Sequence, residues 1–259
     1  MMLNQKELIV IKIGTAVLSK KDNYLDLDFM KDVARQCELL MEKYRVLIVS
    51  SGAIGCGMKQ IGFKTRPDSI EQVQACAAVG QSDLMFMWKQ AFGKRKISQF
   101  LLSYDCFVNQ QKYHNLVNCI DAVLSFDAIP IANENDTIAT DELGGNFGDN
   151  DKLSVLLAKG MKAKKIIMLC DVDGLYDKNP NMFPNAEVIP EVMKITQKTL
   201  DLAFGKSTRG LGGMHSKLKA MELVLKDGID GYITNGRKKD SILNVFSSEF
   251  DGTKFCQYI

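Results

Sequence analysis

Two lysines near opposite ends of the chain stand beside glycines and hydroxyl residues. Lys12 opens Lys12-Ile13-Gly14-Thr15, and Lys217 closes Gly210-Leu211-Gly212-Gly213-Met214-His215-Ser216-Lys217. Glycine lets backbone approach an anion, and lysine supplies the charge. Glycines ahead of a helix also leave its first amides open to a phosphate. Lys217 falls in the first turn of the helix that follows, where the dipole disfavours a cation and an anionic ligand would compensate. Taken alone, the first motif also reads as a solvated strand-end lysine with a turn glycine, and the second as a flexible loop. Together the two lysines suggest a clamp on a phosphoryl group, since phosphoryl transfer is mostly positioning and charge neutralisation. It is not a P-loop, because GxxxxGK[ST] occurs nowhere.

Three further motifs carry polar groups. Ser50-Ser51-Gly52-Ala53-Ile54-Gly55-Cys56-Gly57 follows an apolar strand and precedes a helical pattern, a place for an anion or simply a tight turn. It does not match the GxSxG nucleophile elbow. Asn133-Glu134-Asn135-Asp136-Thr137 and Gly144-Gly145-Asn146-Phe147-Gly148-Asp149-Asn150-Asp151-Lys152 concentrate carboxylates and carboxamides. Such groups can hold the ammonium and carboxylate of an amino acid. Asp149 or Asn150 is also placed to cap the next helix, and capping is expected to explain one of them and ligand contacts another. Cys170-Asp171-Val172-Asp173-Gly174-Leu175-Tyr176 leaves a strand and reads as a nucleotide contact or an Asp-Gly turn. No EF-hand loop and no HExxH is present, and the only histidines are His114 and His215. His215 reads as a polar loop residue, and histidine metal chemistry is not expected. A carboxylate acceptor, with an ordinary pKa of about 4.3, would need no general base.

The elements that must position these groups alternate between strand and helix. Apolar runs predict strands at Leu8–Ile13, Arg45–Ser50, Ile97–Leu101, Ala128–Ala132, Lys165–Cys170 and Gly231–Thr234. Helical spacing links Phe29, Val33, Gln36 and Leu40, with Asp26 or Asp28 as cap. It also links Val73, Ala77, Leu84 and Trp88 after a Ser69/Gln72 capping pair. Further stripes run through Leu116–Leu124, Leu153–Leu157 and Leu218–Leu225, with a last short helix at Ile242–Phe246. This alternation argues a mostly parallel sheet covered on both faces. Its ligand loops should lie after strands, at Gly14–Thr15, Ser50–Gly57, Asn133–Asp151, Asp171–Pro180 and Lys206–Lys217.

Composition sets the outer limits. The chain has 259 residues, 46% apolar and 25% charged, which excludes disorder and fibrous repeats. A net charge of +2 is poor evidence for nucleic-acid binding. The apolar run Leu8–Ile11 is too short for a signal peptide, and no stretch approaches a membrane span. Seven cysteines without a CxxC pair read as reduced thiols, so a cytoplasmic protein with no membrane partner is expected.

The ordered set KIGTAVL, IVSSGAIGCG, IANENDT, GDND, CDVDGLY and GGMHSKLKA resembles the glutamate 5-kinases of the amino acid kinase family. SSGA, NEND and GDND jointly separate this group from the aspartokinase, acetylglutamate kinase, carbamate kinase and uridylate kinase patterns. The resemblance implies an α/β fold, a three-layer α/β/α sandwich around a mostly parallel sheet of about eight strands. It implies transfer of phosphate from ATP to the γ-carboxylate of L-glutamate, the opening step of proline biosynthesis. By position, Lys12 and Lys217 match the catalytic lysines and Asp151 the aspartate that orients them. Ser51, Gly52, Ala53, Asp136 and Asn150 match substrate positions. Lys12, Gly14, Cys170, Asp171 and the stretch Leu211, Gly212, Gly213, Met214, His215, Ser216 and Lys217 match nucleotide positions. Mg²⁺ is expected on the ATP phosphates with no dedicated protein ligands. A homo-oligomer and coupling to glutamyl 5-phosphate reductase are also implied.

The resemblance has departures. Cys170 stands where threonine is more usual, and the loop carrying Gly144-Gly145-Asn146 is longer than in typical relatives and lacks a lysine often found there. Residues 1–259 are expected to form one kinase domain, without the PUA domain that many relatives add. Two alternatives are a same-fold kinase for another acid or a phosphate ester, and a non-catalytic amino-acid-binding regulator. No lysine or arginine lies in Asn133–Asp151, which speaks against a phosphate-ester acceptor. Retention of Lys12, Asp151 and Lys217 together speaks against a regulator.

Overall fold

Strand β1 (Leu8–Ile13) sends its side chains alternately to two cores. Leu8 and Val10 join one apolar cluster, and Ile9, Ile11 and Ile13 join the other. Lys12 continues the Leu8–Val10 row and so faces the first cluster. The computed structural model describes residues 6–20, 24–138, 149–203 and 213–257.

The other strands are β2 (Arg45–Ser50), β3 (Ile97–Leu102), β4 (Ile129–Glu134), β5 (Lys165–Cys170), β6 (Glu191–Val192), β7 (Asp230–Asn235) and β8 (Thr253–Phe255). They form one sheet in the order β3-β4-β2-β1-β5-β7-β8-β6. All pairs are parallel except β7 with β8. The eight-stranded, mostly parallel sheet expected from the motifs is therefore present, with β1 near its middle.

Ten helices are found among the described residues. They are α1 (Thr15–Leu18), α2 (Leu27–Leu40), α3 (Ala53–Ile61), α4 (Ile70–Phe92), α5 (Asp105–Val108), α6 (Gln110–Ser125), α7 (Asp149–Gly160), α8 (Gln197–Asp201), α9 (Met214–Lys226) and α10 (Ser241–Asn244). Apolar residues of α6, α7 and α9 fill the core on one face of the sheet. Those of α2, α3, α4 and α10 fill the core on the other. The result is three layers.

Several boundaries differ from the sequence reading. Ser50–Gly57 is not all loop: Gly52 turns the chain at φ +115°, so α3 starts at once at Ala53. Likewise Thr15 already opens α1, and Met214 opens α9. Strand β4 runs on to Glu134, which shortens the long loop from that side. The last helix is Ser241–Asn244, its first amides accepted by the buried side-chain oxygen of Gln36. Strands β6 and β8, of two and three residues, carry no periodic signal, so the sequence pattern does not predict them.

Candidate active site

Asp151, in the first turn of α7, is fully buried between two lysines. Its Oδ1 lies 2.6 Å from Lys12 Nζ and its Oδ2 lies 3.4 Å from Lys217 Nζ. The side chains of Lys12, Asp151 and Lys217 are 6%, 0% and 7% exposed. Three elements converge here because Lys12 projects from the face of β1 that α7 and α9 cover. One carboxylate between two ammonium groups leaves a buried excess of one positive charge, which an anionic ligand would neutralise.

The ionisation of each group follows from that arrangement. Burial opposes charge on Asp151, but Lys12 and Lys217 outweigh it, with a hydrogen bond from Ser216, and hold the carboxyl at about 2. Burial lowers Lys12; attraction to Asp151 works against that and repulsion from Lys217 adds to it, and burial leaves the group lowered. Burial also works against Lys217, yet attraction to Asp151, then to Cys170 and Asp171, leaves it raised.

Backbone around the triad is open to an anion. Helices α3 and α9 begin at Gly52 and Gly213 with no side-chain cap. In contrast, α2, α4, α6 and α8 are capped by Asp26, Ser69, Asn109 and Thr196. Uncapped first amides are donors awaiting an acceptor. A Cβ at Gly14 would sit 3.7 Å from Lys12 Nζ and 3.4 Å from the Leu169 carbonyl, so glycine keeps that approach clear.

A second, neutral wall lies at the ends of β2 and β4. Asn150 Nδ2 donates to Ser51 Oγ at 2.9 Å and to Asn133 Oδ1 at 2.8 Å. The Glu134 amide donates to Asn133 Oδ1 at 2.9 Å and Asn150 Oδ1 at 3.2 Å. Asn150 therefore ties two strand ends together and does not cap its own helix, which corrects the capping alternative for that residue. Asp136 lies half-buried on the turn just after β4.

The nucleotide positions divide. Cys170, at the end of β5, is buried, and its thiol is pushed up by burial. Its Sγ donates to the carbonyls of Val172 at 3.2 Å and Thr234 at 3.5 Å, so the thiol serves the backbone at that point. Asp171 is exposed. Asp173 turns away to Asn235 at 2.9 Å and Lys238 at 3.1 Å. A Cβ on Gly174 would stand 2.6 Å from Thr253 Oγ1, the atom that accepts from the Leu175 amide at 2.8 Å. Of the α9 residues, Ser216 is turned to Asp151, and His215 is exposed on the helix rather than in a loop. Gly213 and Met214 are half-buried at its start. Leu211 and Gly212 lie outside the described residues.

Sequence reasoning passed over two groups that complete the neutral wall. Asn133 stood inside a quoted motif but was given no role. Gln81, in α4, donates nothing to any motif, yet its Oε1 accepts from Asn133 Nδ2 at 2.9 Å. Only its place beside Gly80 on a helix face with Leu84 and Trp88 could have pointed to it.

Residues 7–235 match the amino acid kinase family. The chain is 40% identical over 252 residues to glutamate 5-kinase of Oenococcus oeni, covering 95% of this chain and 94% of that one. It is 41% identical over 265 residues to glutamate 5-kinase of Methanococcoides burtonii, covering 98% of this chain and 70% of that one. In fold it resembles UMP kinase from Ureaplasma parvum, with a TM-score of 0.63, 19% identity and coverage of 98% and 100%. It also resembles T. acidophilum isopentenyl phosphate kinase, with a TM-score of 0.67, 17% identity and coverage of 96% and 99%. The chain belongs to the amino acid kinase family, in its glutamate 5-kinase branch.

Proposed function

We propose that the protein transfers the γ-phosphoryl group of ATP to the γ-carboxylate of L-glutamate, forming L-glutamyl 5-phosphate and ADP, the reaction that opens proline biosynthesis. The observation that carries this is the buried Lys12–Asp151–Lys217 triad set beside a neutral wall of Ser51, Asn133 and Asn150. In the reaction a carboxylate oxygen forms the new bond to phosphorus while the bond to the ADP oxygen breaks. The acceptor is ionised at neutral pH, so no base is required. Lys12 and Lys217 spread positive charge over the moving phosphoryl group, and Asp151 holds them apart and aimed.

The amides at the starts of α3 and α9, the Gly14 backbone and the end of β5 by Cys170 and Asp171 are the places we read for phosphate and nucleotide. Ser51, Gly52, Ala53, Asp136 and Asn150 are the places we read for glutamate. Mg²⁺ belongs with the substrate, on the ATP phosphates, where it would offset their charge. Among the described residues no three acidic, thiol or imidazole groups gather to hold a metal, and the Asp151 carboxylate is shared by two lysines.

The same reading takes residues 1–259 as one kinase domain acting as a homo-oligomer. It couples the domain to glutamyl 5-phosphate reductase, since an acyl phosphate product is labile in water. All seven cysteines are unpaired, which supports a reducing, cytoplasmic setting. No helix among the described residues is long and apolar enough to cross a membrane.

Purified protein with ATP, Mg²⁺ and L-glutamate should yield glutamyl hydroxamate when hydroxylamine traps the acyl phosphate. ATP consumption with another acid or a phosphate ester, and none with glutamate, would move the reading elsewhere in the family.

A further inference from the structure

One backbone amide sets the direction of every hydrogen bond in the neutral wall. The Glu134 N–H can only donate, so the Asn133 and Asn150 atoms that face it are carbonyl oxygens. The Asn150 amide nitrogen is then turned to Ser51 Oγ and donates to it at 2.9 Å. The Asn133 amide nitrogen is turned the other way and must find an acceptor. Gln81 Oε1 supplies it at 2.9 Å. Asn133 is 3% exposed, so water is a poor substitute for that acceptor.

The polarity that results has a chemical use. With Ser51 Oγ accepting from Asn150, the hydroxyl has its proton to offer a ligand. A carboxylate accepts only, so it is matched to that proton. Helix α4 is also held rigidly where Gln81 leaves it. Its neighbour Gly80 packs so closely on the first turn of α3 that a Cβ there would lie 2.0 Å from the Ala53 carbonyl. Two turns on, Trp88 Nε1 donates to Ser50 Oγ at 2.9 Å, at the end of β2. One face of α4 thus touches both strand ends that carry the wall.

We infer that Gln81 is a positioning residue for the acceptor: through Asn133 and Asn150 it holds the Ser51 hydroxyl as a donor toward the substrate carboxylate. This rests on the reading of the protein as a glutamate kinase. Gln81 is bonded to Asn133, while Lys12 and Lys217 pair with Asp151, so on this inference it governs capture of glutamate and not the transfer step.

The test is steady-state kinetics on Gln81→Leu and Gln81→Asn, alone and combined with Ser51→Ala, in the full chain. Each Gln81 variant should raise the glutamate KM about tenfold, leave kcat within about threefold and leave the ATP KM unchanged. In the Ser51→Ala background the same changes should add less than about twofold, because the donor they orient is gone. A merely structural role would lower kcat and raise the glutamate and ATP KM values together, and would add fully in that background. Gln81→Asn keeps an amide but is too short to reach, so it covers the case in which the leucine variant does not fold. An unchanged glutamate KM, or full additivity with Ser51→Ala, overturns the inference alone. No hydroxamate from the unaltered protein with glutamate overturns the functional reading and the inference with it.

Discussion

The two walls of the site are held by different physics. At the triad, charge does the work: Lys12, Asp151 and Lys217 come from β1, α7 and α9 and meet in a buried cluster. At the neutral wall, direction does the work: Ser51, Asn150, Asn133 and Gln81 form a chain of hydrogen bonds whose sense is set by the Glu134 amide. A charge cluster is strong and tolerant of angle. An amide chain is weaker per link but specific about which atom donates. On the proposed function, the difference would assign rate to the first wall and recognition to the second.

The largest effect should come from removing the charge that the two lysines share. Asp151→Asn leaves two ammonium groups buried without a counter-ion, a loss of about 3–5 kcal/mol in stability. Urea unfolding of the unaltered protein and the variant at neutral pH would measure it. The acid limb carries the same signature. Asp151 is held at about 2, below its ordinary 3.8, so its contribution is complete above about pH 4 and is lost as pH falls toward 2. The stability gap between the two proteins should therefore narrow across that interval. A constant gap down to pH 2 would show that the carboxylate is not what balances the lysines.

Next in size is Lys217→Ala, which on the proposed function removes half of the phosphoryl clamp. Turnover should fall by about 10²–10³, the scale of losing one preorganised electrostatic contact to a transition state. The glutamate KM should stay within about threefold, since the neutral wall is untouched. Initial rates across a glutamate series separate the two quantities. A large rise in KM with turnover preserved would merge the walls that the geometry keeps apart.

How much of this the sequence discloses depends on how local the cause is. Strands β1, β2 and β5 are legible to the residue because each is a continuous apolar run in a two-sided sheet. Strands β6 and β8 exist only because β7 offers β8 an antiparallel edge and β8 then receives β6. No pattern in two or three residues encodes that. The triad is legible from the ordered set of motifs and not from any one of them, since a lysine beside glycine also reads as a turn and the GDND run also reads as a helix cap. Gln81 was not, because a single glutamine on an amphipathic helix looks like a solvent-facing residue until the sheet brings Asn133 to it. The start of α3 reads as loop for a comparable reason: three glycines within Ser50–Gly57 suit a tight turn, yet Gly52 supplies a left-handed turn and Gly57 a contact.

That contact yields the smallest and sharpest comparison, between two glycines of one helical segment. A Cβ at Gly57 would fall 1.8 Å from the Cys76 carbonyl oxygen, on the backbone of α4, which cannot yield without moving the helix. Gly57→Ala should therefore cost about 1–3 kcal/mol of stability and raise the glutamate KM, because α4, packed on α3, carries Gln81 into the neutral wall. Gly62, the C-cap of α3, has φ +96° and nothing within 4 Å of its added Cβ. Gly62→Ala meets only left-handed backbone strain, about 1 kcal/mol, far from either wall. Its glutamate KM, ATP KM and turnover should all match the unaltered protein. Thermal unfolding and a glutamate titration of the pair decide it. Equal KM values in both variants would mean that the α3–α4 contact stabilises the fold without positioning the acceptor wall.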